Sequence, residues 1–360
     1  MAETAVPMLE LTVDEHDVIR GAEQVLKAIR PHWRCDSIRF KLFTDGITNK
    51  LVGCFNQNNN RGDEDGDLEG DGSAGDVVLV RVYGNKTDLL IDRKKETENI
   101  QLLHRYGYAP SLYATFRNGL AYEYVPGVTL TPESCREERV WRLVAKRMAQ
   151  MHKVEQAGSV RHPMLPDKLD QFLKLIPQTF SDPVKHKRIS KIFPNVTVLR
   201  RDFDELYDKL NQLASPVVFC HNDLLLGNVI YNAERDRVTF IDYEYAAYNH
   251  QAFDIGNHFT EFAGIDEIDY DRYPRKEFQL RWLRVYLDEF IGPHCNDSDV
   301  ERLYVQVNQF ALASHYLWTV WALIQAEHST IAFDFIQFAE NRYREYLRRR
   351  DEFLALTYQN

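Results

Sequence analysis

The sequence contains no Cys-x-x-Cys pair. Its five cysteines, Cys35, Cys54, Cys135, Cys220 and Cys295, are odd in number and widely spaced. That excludes a zinc knuckle and a dithiol redox site, and leaves free thiols in a reducing compartment as the expectation. An excess of basic residues is also missing: 44 Lys and Arg face 54 Asp and Glu, for a net charge of −10. No basic face of the kind a nucleic-acid binder needs is implied, so no nucleic-acid partner is expected. Nor is there a long apolar run. The most apolar stretch, FALASHYLWTVWALIQA from Phe310 to Ala326, contains Ser314 and His315. It falls short of the roughly 20 residues a membrane span requires. It reads as a buried helix, and no transmembrane segment is expected. The opening MAETAVPMLELTVDEHD has neither a basic start nor an apolar core, so it does not read as a secretory leader. The expected location is cytoplasmic. Finally, the turn DGITNKL, from Asp45 to Leu51, is neither a Walker A motif nor a full Gly-rich loop.

What the chain does have is enough apolar material for more than one core. Hydrophobic residues make up 44% and aromatics 12% of 360 residues, and single cores stop growing at about 250–300 residues. The pattern is strand-rich first and helical later. IRFKLF alternates at period two within 38–55, and DVVLVRVYG is valine-rich within 76–84. Between them an insert over 56–76, rich in Asn, Gly and acids, has almost nothing to bury and reads as disordered. Its Asp63, Asp65 and Asp67 start an EF-hand spacing. However, the sixth position is Leu68 and the twelfth Ala74, so a calcium loop is not supported. A helix is expected over 92–106, then strands LYATF and LAYEYV, then a break at Pro126-Gly127. The expected division is an N-terminal lobe, 1–125, and a mostly helical C-terminal lobe, 126–360. In the second lobe Val140, Leu143, Val144, Met148 and Met151 form an apolar helical stripe. Two short strands, PVVFC and VTFID, interrupt the helices.

The residues that follow those two strands carry the chemistry. HNDLLLGN supplies Asp223 and Asn228, and FIDYEY supplies Asp242. Phosphoryl transfer through a loose transition state needs one carboxylate to orient the attacking hydroxyl and oxygen ligands to hold magnesium on the phosphates. An Asp, an Asn five residues later and an Asp closing the next strand make that set. Their spacing follows the protein-kinase catalytic loop with altered flanks. The bland alternative makes Asp223 and Asn228 turn formers and Asp242 a strand cap.

SPVVFCHNDLLLGNVIYN, FIDYEYAAYNHQAFDIGNHFTEFAG and VNQFALASHYLWTVWALIQAEHSTIAFDF together resemble the choline/ethanolamine kinase family. The resemblance covers roughly 38–55 and 76–345. It implies an α+β, protein-kinase-like two-lobe fold, with a small β-rich N-lobe and a larger helical C-lobe, that uses ATP with Mg2+. Position by position it implies Asp223 as catalytic base, Asn228 and Asp242 as magnesium ligands, and His221 and Asp254 as structural braces. DGITNKL, with Gly46, Thr48 and Asn49, corresponds to the phosphate-covering turn. Alone it reads equally well as a hairpin turn. Arg81 stands where protein kinases carry a strand lysine, with Glu96 as its charge partner. Glu123, Tyr124 and Val125 correspond to the hinge that meets adenine. Tyr245, Glu261, Trp318 and Trp321 correspond to an acceptor site for a small cationic alcohol, where aromatic faces and a carboxylate attract the cation. A further aromatic corresponds loosely to Phe338. TDGITNKL, RVYGNKT, IDYEY and EFAG lean toward the members that phosphorylate ethanolamine, so ATP and ethanolamine are the expected substrates. Choline, both acceptors, or an inactive kinase-like scaffold are the alternatives. A homo-oligomer is compatible with the sequence, which does not specify one.

Overall fold

The computed structural model describes residues 6–43, 49–57, 77–84, 89–265 and 267–358. Residues 58–76 of the insert, Gly46 and Thr48 lie outside them, while Asn56, read as the start of the insert, closes a strand instead. The chain divides into two compact units, Met1–Val128 and Thr129–Asn360.

The first unit is built on a six-stranded sheet. Its strands are β1 (Met8–Leu9), β2 (Ile38–Phe43), β3 (Asn49–Asn56), β4 (Val77–Tyr83), β5 (Leu112–Phe116) and β6 (Gly119–Glu123), in the order β1-β5-β6-β4-β3-β2. All pairings are antiparallel except β1 with β5. β4 is central and buried along six of its seven residues, which explains its unbroken valine pattern. Helix α1 (Val18–Ile29) lays Ala22, Val25 and Leu26 against Val52, Val78 and Val80. It starts at Asp17, whose side chain caps Arg20 N–H. Helix α2 (Arg93–Arg105), capped by Asp92, buries Glu96, Ile100 and Leu103 on one face. Neither α1 nor β1 was anticipated from the sequence.

A two-residue strand, β7 (Val128–Thr129), spans the division. The second unit is mainly helical: α3 (Glu138–His152), α4 (Met164–Leu175), α5 (Pro183–Ile192), α6 (Val196–Asn211), α7 (Gln251–Thr260), α8 (Lys276–Phe290), α9 (Asp297–His328) and α10 (Phe335–Leu354). Helix α9 begins with a capping box from Asn296 and Asp299. It is buried on every side from Val305 to Ala326, so its hydrophobic pattern carries almost no periodicity. Helix α7 packs tightly on it at Gly256, where a Cβ would fall 2.7 Å from the Val307 carbonyl oxygen.

Two antiparallel pairs sit among these helices: β8 (Val217–Cys220) with β11 (Ala247–His250), and β9 (Val229–Asn232) with β10 (Arg237–Phe240). The candidate chemistry lies on the segments joining them. Among the described residues all five cysteines are unpaired. Cys54, Cys135 and Cys220 are buried and Cys35 is exposed. No described helix is long and apolar enough to cross a membrane.

Candidate active site

Strand β8 delivers His221, Asn222 and Asp223 at its end, and the fold pins all three. The fully buried Asp254 carboxylate, on α7, accepts from the backbone N–H groups of His221 (2.9 Å) and Asn222 (2.7 Å). It lies 2.8 Å from His152 Nε2 on α3. Burial alone would raise its pKa, but the His152 and His221 interactions outweigh burial and hold it below the usual carboxylate range. His221 Nε2 lies 2.9 Å from the Ile241 carbonyl, and its Nδ1 accepts from Asp223 N–H at 3.3 Å. Those partners select the neutral Nε2–H tautomer, and burial lowers its pKa in the same sense. His221 thus ties the loop carrying Asp223 to the strand end carrying Asp242.

Asn222 makes a second tie. Its backbone is left-handed, φ +67°, a conformation Asn tolerates better than most residues. Its side chain donates to the carbonyls of Tyr245 (2.9 Å) and Ala247 (3.4 Å) and accepts from Asn249 (2.8 Å).

The Asn228 amide donates to the Asp223 carbonyl at 2.9 Å, which leaves its oxygen turned to other uses. The Asn228 carbonyl accepts from Ile241 N–H at 3.0 Å, setting Asp242 beside it. Asp242 is also left-handed, φ +63°. One of its carboxylate oxygens and one of Glu244 lie within 4.8 Å of each other. The half-buried Asp223 carboxyl is pushed well above its ordinary pKa, by desolvation first and then by repulsion from Asp242, Glu261 and Glu244. Arg342 pulls the other way. Oxygen donors crowded with like charge suit a hard divalent cation, which would relieve that repulsion. The pair Asp242 and Glu244 therefore fits such an ion, and the Asn228 backbone is bonded to the residue before Asp242. Sequence reasoning missed Glu244, although the alternating acids of IDYEY were a signal for it.

The acceptor-class residues also come together within the second unit. Tyr245 and Trp318 meet edge-to-face at 5.4 Å, and Trp318 meets Trp321 at 5.7 Å. Trp321 Nε1 donates to the Tyr245 hydroxyl at 3.0 Å, and Trp318 Nε1 donates to Asn257 at 2.7 Å. Phe335 and Phe338 extend the cluster against Trp321. Glu261, read as the carboxylate that would meet the acceptor cation, already has a partner: Arg342 Nη2 lies 2.5 Å from its Oε1. Arg342 and Asn257 were not foreseen, and no short motif marks them.

In the first unit, Arg81 on β4 lies 3.2 Å from Glu96 on α2, both buried. Arg93, unanticipated, takes the other Glu96 oxygen at 2.9 Å and stacks on Tyr83 at 3.8 Å. Asn49 opens β3, and its side-chain oxygen lies 3.5 Å from Arg93 Nη2. At the end of β6, the Glu123 side chain accepts from Ser111 N–H at 2.9 Å. Tyr124 sits edge-on to Phe55 at 6.4 Å, and Val125 follows it outside any strand.

Comparison with known proteins places this arrangement. The choline/ethanolamine kinase family pattern matches residues 40–347. The chain belongs to the choline/ethanolamine kinase family. It is 50% identical to ethanolamine kinase from Drosophila melanogaster, across 99% of this chain and 82% of that protein. It is 47% identical to ethanolamine kinase 2 from Mus musculus, across 98% and 86%. Among solved structures it resembles Plasmodium vivax ethanolamine kinase, with a TM-score of 0.77 at 25% identity, covering 92% of this chain and 89% of that one. The fold class is therefore α+β and protein-kinase-like, with a sheet unit and a helical unit. In family members of this kind the chemistry is ATP-dependent phosphotransfer.

Proposed function

We propose that this chain is an ethanolamine kinase, moving the γ-phosphoryl group of ATP to the ethanolamine hydroxyl to give phosphoethanolamine and ADP. This is the first step of the CDP-ethanolamine route to phosphatidylethanolamine. The observation that carries the reading is the bond from Asn222, next to Asp223, to Tyr245, on which Trp318 and Trp321 gather, in a chain 50% identical to an ethanolamine kinase.

In this reading Asp223 orients the acceptor hydroxyl and takes its proton. A carboxylate made more basic by its surroundings is a better proton acceptor. Asn228 and Asp242 would hold Mg2+, with Glu244 beside them; bound there, the ion would neutralise charge on the phosphates. Arg81, steadied by Glu96, contacts phosphate oxygens, and Gly46, Thr48 and Asn49 cover them. Main-chain groups of Glu123, Tyr124 and Val125 meet adenine. His221 and Asp254 brace the loop. The aromatic cluster and Glu261 hold the ammonium. The division of labour follows an N-terminal lobe for nucleotide and a C-terminal lobe for metal and acceptor. Five unpaired cysteines support a cytoplasmic setting.

The test is a competition assay with purified protein, ATP and equal ethanolamine and choline, with Mg2+ and again with excess EDTA. Phosphoethanolamine should dominate and EDTA should stop its formation. Preferential phosphorylation of choline overturns the acceptor, and undiminished turnover in EDTA overturns the metal.

A further inference from the structure

We propose that Arg342 is a positioning residue of the acceptor site, clamping one oxygen of Glu261 so that the other is presented in a fixed direction to an ammonium N–H. This rests on the ethanolamine reading above.

The geometry is long-range and buried. Arg342 and Glu261 are 3% and 4% exposed, and their contact of 2.5 Å joins α10 to the end of α7. Arg342 Nη1 also reaches the Thr260 hydroxyl at 3.3 Å, and the guanidinium lies 5.1 Å from the Phe338 ring centre. Phe338 packs on Trp321, which is bonded to Tyr245. One side chain therefore touches both the carboxylate and the aromatic wall. Glu261 Oε1 is committed to Arg342. Its Oε2 accepts no hydrogen bond among the described residues.

Two physical arguments point to a functional use. First, the surroundings of the clamp are not optimised for stability. Among the described residues, Arg342 Nε, the Tyr270 hydroxyl and His315 Nδ1 are buried without hydrogen-bond partners, and Tyr270 and His315 pack together at 5.3 Å. Buried polar groups left unsatisfied are costly, and a buried ion pair is often replaceable by apolar residues without loss. Local rules broken together mark sites rather than scaffolding. Second, Arg342 cancels the charge of Glu261. The pair offers a cation little net Coulomb attraction; what remains is a directional lone pair. A primary ammonium, with N–H donors, can use it. A quaternary ammonium, with none, cannot.

The experiment measures kcat and KM for ethanolamine, choline and ATP in Arg342→Gln, Arg342→Lys, Glu261→Gln and the double Arg342→Gln/Glu261→Gln, with thermal unfolding of each. Arg342→Gln should raise the ethanolamine KM about tenfold or more, the worth of one hydrogen bond to a charged group lost with the fixed direction of Glu261, with the ATP KM and kcat changed by less than about twofold. The ethanolamine-to-choline preference should fall. Arg342→Lys should restore part of the affinity, because it keeps charge without the fork. The double variant should lose no more than Glu261→Gln alone, and it decides the matter even if Arg342→Gln does not fold. An unchanged ethanolamine KM, equal rises for ethanolamine and ATP, or multiplying effects in the double variant would overturn the clamp. A wild-type enzyme that prefers choline overturns the acceptor reading instead, and the two failures are thus separate.

Discussion

The loop from His221 to Asp242 and the cluster from Tyr245 to Arg342 lie in one unit but are assembled by different means. In the loop, backbone groups do the holding. Asp254 grips two successive N–H groups, His221 bonds the Ile241 carbonyl, and Ile241 N–H bonds the Asn228 carbonyl. In the cluster, side chains hold side chains across long stretches of sequence: Trp318 to Asn257, Trp321 to Tyr245 and Arg342 to Glu261. Backbone ties fix atoms finely and tolerate little change, as in-line phosphoryl transfer demands. Side-chain ties can be retuned one residue at a time, which suits a site that sorts one small alcohol from another.

If that contrast holds, damage to the loop appears in kcat and damage to the cluster in the acceptor KM. The largest effect belongs to Asp223→Asn. A general base is worth about 10²–10⁴ in rate, so kcat should fall by ~10³. The substitution should not cost stability. Asp223 has its pKa raised in the folded chain, so at neutral pH its charge opposes folding, and the amide removes that opposition. Wild-type turnover in the variant breaks the assignment.

Next is Asp254→Asn. The amide turns a donor toward N–H groups that need an acceptor, so urea unfolding should show a loss of about 3 kcal/mol or more, with kcat falling alongside. A loss near zero removes Asp254 as the brace.

His258 gives a pH-dependent counterpart. Its Nδ1 lies 3.0 Å from the Leu224 carbonyl, and burial depresses its pKa from 6.5 to about 4. A histidine held neutral in the fold contributes stability that is complete above its unfolded pKa and lost as pH falls from there toward the folded value. Between pH 6.5 and 4, up to about 3 kcal/mol should disappear from this group. His258→Asn keeps a donor near the carbonyl and no longer titrates, so it should flatten that limb of the stability curve. An identical limb in the variant assigns the acid sensitivity to other histidines.

How far the sequence reached follows the same divide. That the segments carrying Asp223, Asn228 and Asp242 meet in the fold was readable, because their separation is set by one turn and one hairpin, which motif spacing records directly. β2 to β6 and α2 were readable from alternation and turn residues. Glu261 was readable, but its partner 81 residues away was not, because a contact between α7 and α10 leaves no trace in either segment. Helix α9 was recognisable as apolar, yet burial on all sides erased the periodicity that would have said which face Trp318 and Trp321 share with Tyr245. α1 escaped notice although its apolar stripe is strong, since nothing in the chemistry drew attention to it. β1 and β7, two residues each, are too short for any pattern.

Trp321→Phe tests the cluster's side of the contrast. It keeps most of the apolar area and removes the 3.0 Å bond to the Tyr245 hydroxyl. A loss of about 1 kcal/mol is expected, a several-fold rise in ethanolamine KM at nearly constant kcat. A fall in kcat with KM unchanged would mean that the cluster aligns the reacting hydroxyl rather than holding the cation.

The smallest effect tests the seam between the two regions. Asn222 sits in the loop, but its side chain bonds the Tyr245 carbonyl at the edge of the cluster. Glycine and alanine both remove those bonds, so both should raise the acceptor KM and lower kcat modestly. They differ in the backbone. At φ +67° alanine pays the left-handed penalty and glycine does not, so Asn222→Gly should be more stable than Asn222→Ala by about 1 kcal/mol. That reverses the usual order of the two residues. The ordinary order, with alanine the more stable, would mean that the loop relaxes out of its left-handed turn once the side chain is gone. The Asn222 side chain, not the grip of Asp254, would then be what holds the turn before Asp223.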